Sequence, residues 1–265
     1  MTSPFGRLAV VTGAASGVGL ATTRQLRGAG TTVCGLDRAD LPPELEDDDG
    51  LDWVQGDVAS EETWARVQQA CSARDSGGAD RLVSCAGDIV QTSFLDTSLE
   101  DWRRMLDINL FGAILGMRTV MPGMVERREG AIAVVGSVNS LFVEDHLSAY
   151  STAKAALLHA VREAALEYAG LGIRINAVLP GYLNTPLLHR SIKDAPDPDA
   201  ILRFVANRTP IGRLVEPEEV ASVLCFLLTE GASAMSGAAI VVDGGVTTAY
   251  DFDLSGSPSG EARSP

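Results

Sequence analysis

Short apolar segments alternate with longer amphipathic segments along most of the chain. The apolar segments predict seven strands, which are Leu8–Val11, Thr32–Leu36, Asp52–Gln55, Arg81–Cys85, Ala131–Val135, Arg174–Val178 and Ala239–Val242. They are nearly continuous runs of Val, Ile, Leu and Ala, which is typical of parallel strands buried on both faces. The amphipathic segments predict helices at about 17–29, 60–74, 99–127, 150–169 and 216–229.

This alternation predicts one α/β domain over residues 1–250. We expect a Rossmann-like, doubly wound, mainly parallel seven-stranded sheet with helices on both faces. Right-handed crossovers place the carboxyl ends of the strands at one edge, where ligands bind. The segment at about 183–210, which includes the Pro- and Asp-rich stretch Lys193–Asp199, is predicted to form a flap over the substrate. The Ser-, Gly- and Pro-rich tail 251–265 is expected to be flexible.

Composition narrows the possible partners and the compartment. Of the 265 residues, 46% are hydrophobic, which supplies a full core and excludes wholesale disorder. The net charge of −14 disfavours nucleic acid or an anionic membrane as the main partner. No apolar run reaches the roughly 18 residues of a membrane span. The four scattered cysteines form no CxxC motif, which predicts reduced thiols and a cytoplasmic protein.

A glycine-rich loop connects the first predicted strand to the first predicted helix. Its sequence is Thr12-Gly13-Ala14-Ala15-Ser16-Gly17-Val18-Gly19. Gly13 can turn the chain at the end of the strand, Gly17 lets the backbone approach a pyrophosphate, and Gly19 lets the helix pack closely on the strand. The amino end of the helix offers N–H groups and a partial positive charge to phosphates. The loop therefore predicts a dinucleotide site.

Acidic residues after the second and third strands bear on the nucleotide. Asp37 lies 18 positions after Gly19, where a carboxylate can accept both ribose hydroxyls and repel a 2′-phosphate. This favours NAD, although the adjacent Arg38 would suit the 2′-phosphate of NADP. Asp57 and Val58 are predicted to contact the adenine, and Asp57 would equally serve as the cap of the next helix.

Tyr150 and Lys154 form the candidate catalytic pair. Their spacing of four places both side chains on one helix face. An ammonium beside a phenol lowers the phenol pKa, so Tyr150 can exchange the proton of an alcohol while hydride moves to or from a nicotinamide. Ser137, 13 residues earlier and close to the end of the fifth strand, can hold the substrate oxygen. The predicted reaction interconverts a secondary alcohol and a ketone.

With these motifs the chain resembles the short-chain dehydrogenase/reductase family. The matching segments occur in the family's order and are Thr12–Gly19, Asn109-Leu-Phe-Gly112, Ser137, Tyr150-x-x-x-Lys154, Pro180-Gly181 with Thr185-Pro186, and Val242-Asp-Gly-Gly245. The resemblance implies that Tyr150 is the general acid/base and that Ser137 anchors the substrate oxygen. It implies that Lys154 binds the nicotinamide ribose and lowers the pKa of the tyrosine.

The resemblance also implies roles outside this group. Asn109 would interrupt a helix and hold a water in a proton relay. The backbone around Leu183 and the hydroxyl of Thr185 would hold the carboxamide of the cofactor. Homotetramers or homodimers would form through the Tyr150 helix and its neighbour.

One segment departs from the family pattern. Where the family has Asn-Asn-Ala-Gly after the fourth strand, this chain has Ser84-Cys85-Ala86-Gly87. Ala86 and Gly87 keep the small residues that let a ribose lie close to the backbone. Cys85 cannot replace the hydrogen-bonding groups of an amide, which puts the local bracing of the sheet in doubt.

The substrate residues are predicted from two segments near the catalytic pair. They are Asn139, Phe142 and His146 before Tyr150, and Leu187 and His189 in the flap. The apolar members indicate a mainly apolar alcohol or ketone of moderate size. The three histidines lack metal-ligand spacing, so no metal site is predicted.

Three functions stay open at this point. The first is an NAD-dependent alcohol dehydrogenase or ketone reductase. The second is an NADPH-dependent ketoreductase of a biosynthetic pathway, which shares the chemistry. The third is a dinucleotide-binding sensor or scaffold without turnover, which is disfavoured because such proteins typically lose the tyrosine or the lysine.

Overall fold

The computed structural model describes residues 3–248, so the predicted tail 251–265 lies outside the described part of the chain. The strands are β1 (Leu8–Thr12), β2 (Thr32–Asp37), β3 (Leu51–Gln55), β4 (Arg81–Ser84), β5 (Gly130–Val135), β6 (Ile173–Pro180) and β7 (Ala239–Val242). They form one sheet in the order β3-β2-β1-β4-β5-β6-β7, with every neighbouring pair parallel. This order confirms the predicted Rossmann-like class.

Helices cover both faces of this sheet. They are α1 (Gly17–Gly28), α2 (Glu61–Arg74), α3 (Leu99–Leu106), α4 (Gly112–Arg127), α5 (Ser148–Tyr168), α6 (Pro186–Ile192), α7 (Pro198–Arg208) and α8 (Pro217–Leu228). α2, α4 and α5 bury side chains on one face, and α1 and α8 on the other. Val10 of β1 joins the first core and Val11 the second, because side chains alternate across a strand. A strand covered on both faces therefore presents apolar side chains to two cores, which explains the nearly continuous apolar runs in the sequence.

The single helix predicted at 99–127 was wrong in one respect, because the structure interrupts it. α3 ends at Leu106, a wide π-helical turn occupies Asp107–Phe111, and α4 begins at Gly112. The turn contains Asn109, as the family resemblance implies. Asn109 Nδ2 donates to the Met105 carbonyl at 3.1 Å, so the side chain binds backbone within its own helix.

Taken together, α3, the π-helical turn and α4 form the helical segment Leu99–Arg127. Among the described residues it is the one segment long and apolar enough to cross a membrane. Half of its most apolar part is buried inside the fold. Met117, Val120 and Met124 of α4 lie in the core beneath the sheet. Its apolar composition is thus used in packing against the strands.

The predicted flap contains the two helices α6 and α7. Thr185 caps α6, accepting a hydrogen bond from the Leu188 N–H at 3.5 Å, and Asp197 caps α7, accepting one from the Ala200 N–H at 2.8 Å. Each cap is followed by a proline at the first helical position, where a missing N–H costs nothing. The Thr-Pro and Asp-Pro dipeptides were therefore helix-start signals rather than signs of irregular structure.

Candidate active site

A cleft of about 1280 Å³ opens at the carboxyl edge of the sheet. It is lined by most of the residues predicted from the sequence, namely Gly13, Ser16, Gly17, Val18, Gly19, Asp37, Arg38, Asp57, Val58, Ala86, Gly87, Asn109, Ser137, Asn139, Phe142, Tyr150, Lys154, Pro180, Gly181, Leu183, Thr185 and Leu187. The loops after β1, β2, β4, β5 and β6 converge here because parallel strands end on the same side.

Two predicted substrate residues, His146 and His189, are not among the residues that line the cleft. The His146 side chain is 56% exposed, with its Nδ1 3.0 Å from an oxygen of Asp145. His189 is exposed on α6, with its Nε2 2.9 Å from the side-chain oxygen of Asn184. Leu187, Leu188 and Arg190 of the same helix do line the cleft, so the predicted flap segment reaches the cleft through these residues and not through His189.

The glycine loop has the backbone that a phosphate site requires. Gly13 and Gly17 have φ angles of +67° and +52°, which favour glycine. A Cβ on Gly19 would collide with the carbonyl of Gly13, so α1 packs directly against the end of β1. Ser16 precedes α1 without a side-chain capping bond. The first N–H groups of α1 therefore stay available for an anion.

Asp37 lies at the end of β2, on the side of the cleft where the glycine loop turns. Its Oδ2 accepts a hydrogen bond from the Ala15 N–H and its Oδ1 one from the Ala39 N–H, both at 3.0 Å. These bonds hold the carboxylate in place and leave further lone pairs on each oxygen. Arg38 is 66% exposed, with its Nη1 3.9 Å from an oxygen of Asp57.

Ser137, Tyr150 and Lys154 come together where β5 and α5 meet the cleft. Ser137 Oγ accepts a hydrogen bond from the Asn139 N–H at 3.1 Å, which orients the hydroxyl. Lys154 is buried, and its Nζ donates to the Val135 carbonyl at 2.9 Å and lies 5.8 Å from the centre of the Tyr150 ring. The loop after β5 supplies Ser137, and the first two turns of α5 supply Tyr150 and Lys154.

The pKa of Tyr150 is raised, chiefly because burial disfavours the phenolate. A hydrogen bond with Ser137 opposes this rise, and the negative charge of Glu144 adds to it. Burial also lowers the pKa of Lys154 to about 8. The sequence predicted a lowered pKa for Tyr150. The protein groups around Tyr150 have the opposite net effect, because burial outweighs the hydrogen bond with Ser137. The positive charge of an oxidised nicotinamide would act in the opposite direction to burial.

Lys154→Met is expected to raise the Tm at pH 7 by about 2–4 °C, because the wild-type protein buries an ammonium at that pH. The pKa of Lys154 is about 8 in the folded chain against an ordinary 10.5. Between these values the unfolded chain binds more protons than the folded chain, so wild-type stability rises with pH. The Tm difference should therefore narrow from pH 8 to 10.5 in calorimetry.

Lys193→Met is the matched control for this prediction, because Lys193 is 67% exposed beside Asp194. It should leave the Tm nearly unchanged at both pH values. A Lys154→Met protein whose Tm difference from wild type is the same at pH 7 and pH 10.5 would contradict the assigned cost of the buried ammonium.

Asn109 joins the π-helical turn to the loop after β4. Its Nδ2 donates to the Asp88 carbonyl at 2.9 Å, and its Oδ1 accepts from the Asp88 N–H at 3.3 Å. A Cβ on Gly87 would lie only 3.0 Å from Oδ1, which explains the small residue there. These contacts give Asn109 a structural part in the cleft wall. Its predicted part in a water relay stays a prediction.

The bracing that the Ser84-Cys85 departure put in doubt comes from Thr12 at the end of β1. The Thr12 hydroxyl accepts hydrogen bonds from the backbone N–H groups of Cys85, at 3.1 Å, and Ala86, at 3.0 Å. The Cys85 side chain packs with the core that α1 and α8 cover, and burial raises its thiol pKa to about 12. Cys85 therefore packs against this core and also lines the cleft, and its raised pKa favours the thiol over the thiolate.

Among the polar residues of the cleft that sequence reasoning missed are Glu144 and Tyr182. Tyr182 Oη donates to Glu144 Oε1 at 3.0 Å, and both side chains are partly buried. Burial and the negative charge of Glu144 raise the pKa of Tyr182 to about 12. The two residues are 38 positions apart, so no local pattern pairs them. The sequence offered only their positions as a signal: Glu144 lies shortly before Tyr150, and Tyr182 follows the Pro180-Gly181 motif directly.

The fold and the cleft define an α/β oxidoreductase that binds a dinucleotide at the carboxyl edge of a parallel sheet. The chain matches a family model described as enoyl-(acyl carrier protein) reductase over residues 13–247. It is 39% identical over 247 residues to the cis-4-hydroxycyclohexanecarboxylate dehydrogenase of Sinomonas cyclohexanicum. This alignment covers 91% of this chain and 96% of that enzyme. The chain therefore belongs to the short-chain dehydrogenase/reductase family, whose members bind a nicotinamide dinucleotide.

Solved structures agree with this assignment. The aldohexose dehydrogenase of Thermoplasma acidophilum superposes with a TM-score of 0.87 at 28% identity, over 96% of this chain and 99% of that one. An actinorhodin polyketide ketoreductase with NADPH also gives a TM-score of 0.87, at 29% identity, over 94% of this chain and 100% of that one. The family thus includes dehydrogenases and ketoreductases of closely similar fold.

Proposed function

We propose that the protein is an NAD-dependent oxidoreductase that interconverts a secondary alcohol and a ketone. The observation that carries this proposal is that one cleft joins the glycine loop and Asp37 to Ser137, Tyr150 and Lys154. A nicotinamide bound there would supply the hydride chemistry. Each residue group that the reaction needs is thus present on the walls of the same cleft.

The protein groups divide the remaining work. Tyr150 as the phenolate takes up the alcohol proton during oxidation, and Tyr150 as the phenol returns that proton to the ketone oxygen during reduction. Ser137 holds the substrate oxygen with a hydroxyl already oriented by the Asn139 N–H. The buried ammonium of Lys154, held by the Val135 carbonyl, would bind ribose hydroxyls and favour the phenolate form of Tyr150.

The preference for NAD rests on Asp37, whose carboxylate is held at the adenosine end of the cleft by two backbone N–H groups. An NADPH-dependent ketoreductase is the second candidate, supported by the related polyketide ketoreductase with NADPH and by Arg38. Arg38 lies close to Asp57, which supports NAD, because part of its charge is then already balanced. The presence of both Tyr150 and Lys154 argues against a sensor or scaffold without turnover.

The substrate is proposed to be mainly apolar and of moderate size, because Phe142, Leu187 and Phe204 line the cleft that contains the catalytic group. The related Sinomonas dehydrogenase carries a hydroxycyclohexanecarboxylate in its name, which supports a ring compound as the substrate of such a cleft. A screen of NAD⁺ reduction against cyclic, steroidal, terpenoid, sugar and hydroxy-acid alcohols tests the proposal. Turnover of at least one secondary alcohol is expected; binding of NADH without turnover of any alcohol or ketone would overturn it.

We propose further that the protein is a homodimer or homotetramer that associates through α4 and α5. Exposed apolar side chains support this proposal, with Phe111, before α4, 47% exposed and Leu166, on α5, 80% exposed. Light scattering should give a mass of two or four chains, and Leu166→Glu should shift the mass toward a single chain. A wild-type protein with the mass of one chain at micromolar concentration would contradict this assembly.

A further inference from the structure

Glu144 and Tyr182 form a polar bridge across the substrate end of the cleft. Glu144 belongs to the loop between β5 and α5, and Tyr182 follows β6. The bond from Tyr182 Oη to Glu144 Oε1, at 3.0 Å, joins these two walls. Both residues line the same cleft as Tyr150. The bridge therefore holds a carboxylate in place within the cleft that contains the catalytic tyrosine.

The acidic side chains that line this end of the cleft differ in their hydrogen-bond partners. Glu144 and Asp88 are two acids that line the cleft. The Asp88 carboxylate accepts a hydrogen bond from the Arg104 guanidinium at 2.7 Å, so its charge is balanced by a cation. The Glu144 carboxylate instead accepts from the neutral Tyr182 hydroxyl. Its negative charge adds to the rise in the pKa of Tyr150 that burial causes.

The cations of the substrate end come from the flap helices. Arg190 of α6 and Arg208 of α7 line the cleft, and the Arg208 guanidinium lies 5.6 Å from the centre of the Phe204 ring. Arg208 lowers the pKa of Tyr182 but is not among the groups that act on Tyr150. The cations of the cleft thus lie on the flap helices, whereas Glu144 belongs to the loop before α5.

A carboxylate has only acceptor sites, and the Tyr182 hydroxyl occupies one of the sites on Glu144. The remaining sites can receive a hydrogen bond from a hydroxyl or amino group, whereas a second carboxylate would be repelled. Resting on the proposed alcohol oxidation, we propose that Glu144 selects substrates with a hydroxyl or amino group on the carbon next to the carbinol carbon. Vicinal diols and amino alcohols are its substrate class, and acids with the carboxylate at that carbon are excluded.

The test compares two ring alcohols of similar size, cyclohexane-1,2-diol and 2-hydroxycyclohexanecarboxylate. For the wild-type enzyme with NAD⁺, we expect kcat/KM to be higher for the diol. Glu144→Gln keeps the side-chain length and an oxygen that accepts from Tyr182, and it removes the charge. We expect this change to lower the diol-to-acid ratio about tenfold, because a charge–charge repulsion at a few ångströms is lost.

Asp145→Asn is the matched control, because Asp145 is the next residue, is 93% exposed and does not line the cleft. It removes the same charge and should leave the diol-to-acid ratio at its wild-type value. Tyr182→Phe removes the hydroxyl that holds Glu144 and should lower the ratio by a smaller factor than Glu144→Gln. A ratio that is equal in wild type and Glu144→Gln would overturn the inference.

Calorimetry of both ring compounds with the NADH-saturated protein separates this inference from the proposed function. Tighter binding of the diol, lost in Glu144→Gln, would support the selection by Glu144 even if no alcohol turns over. Absence of turnover would overturn the proposed function alone. Equal affinity for the two compounds, together with unchanged ratios in the variant, would overturn the inference while alcohol oxidation stands.

Discussion

Tyr150→Phe is expected to lower kcat for alcohol oxidation by about 10²–10⁴-fold, the usual contribution of a positioned general acid/base. The phenylalanine keeps the ring beside Lys154 and removes only the hydroxyl that exchanges the proton with the substrate. Because the glycine loop and Asp37 are untouched, affinity for NADH should change little. Stopped-flow measurement of kcat and a fluorescence titration with NADH check the two halves of this expectation.

Tyr168→Phe is the matched control for this change. Tyr168 is the last residue of α5, packs against the core and does not line the cleft. It should retain wild-type kcat. A Tyr150→Phe enzyme with kcat close to wild type would contradict the proposed acid/base, and a variant that no longer binds NADH would show that the ring mainly supports the cofactor site.

Asp37→Asn is expected to lower kcat/KM for NAD⁺ about 10–100-fold, the worth of a hydrogen bond to a charged acceptor. The amide has one acceptor oxygen instead of two, and it no longer repels a 2′-phosphate. The value for NADP⁺ should therefore stay constant or rise, and the NAD⁺/NADP⁺ ratio should fall. Initial rates with both cofactors measure this ratio.

Asp40→Asn is the control here, because Asp40 is an exposed acid close in sequence that does not line the cleft. Its carboxylate accepts from the Gln55 side chain at 3.0 Å, so the change removes a charge away from the nucleotide. Asp37 also accepts from two backbone N–H groups, so the Tm of each variant is measured alongside. A wild-type ratio below one, or an unchanged ratio in Asp37→Asn, would contradict the NAD proposal.

Local patterns in the sequence were enough to predict the sheet and the dinucleotide loop. A parallel strand covered on both faces presents apolar side chains to both cores, as Val10 and Val11 show, so its sequence is nearly continuously apolar. Gly13, Gly17 and Gly19 carry the loop conformation within seven consecutive positions, so their spacing alone indicates it. The Tyr150–Lys154 pair is equally local, because one helix turn places both side chains on one face.

The interruption of the helix at Asp107–Phe111 was not visible in the hydrophobic pattern, because one wide turn barely changes the periodicity over a long helix. The family motif at Asn109 signalled it instead. The flap helices α6 and α7 were missed for a different reason. Each begins at a proline, a residue that also marks irregular structure, and the capping bonds of Thr185 and Asp197 exist only once the helix has formed.

The amino-acid sequence alone was sufficient for the features that depend on near neighbours: the parallel sheet, the backbone of the glycine loop, and the placement of Tyr150 and Lys154 on one helix. Tertiary structure was needed wherever two distant segments meet. In the folded chain, His146 and His189 are not among the residues that line the cleft. Glu144 accepts a hydrogen bond from Tyr182, which lies 38 positions later in the sequence. The physical reason is that the direction of a loop or short-helix side chain, and hence the charge next to Tyr150, is set by packing against other elements and not by the residues beside it.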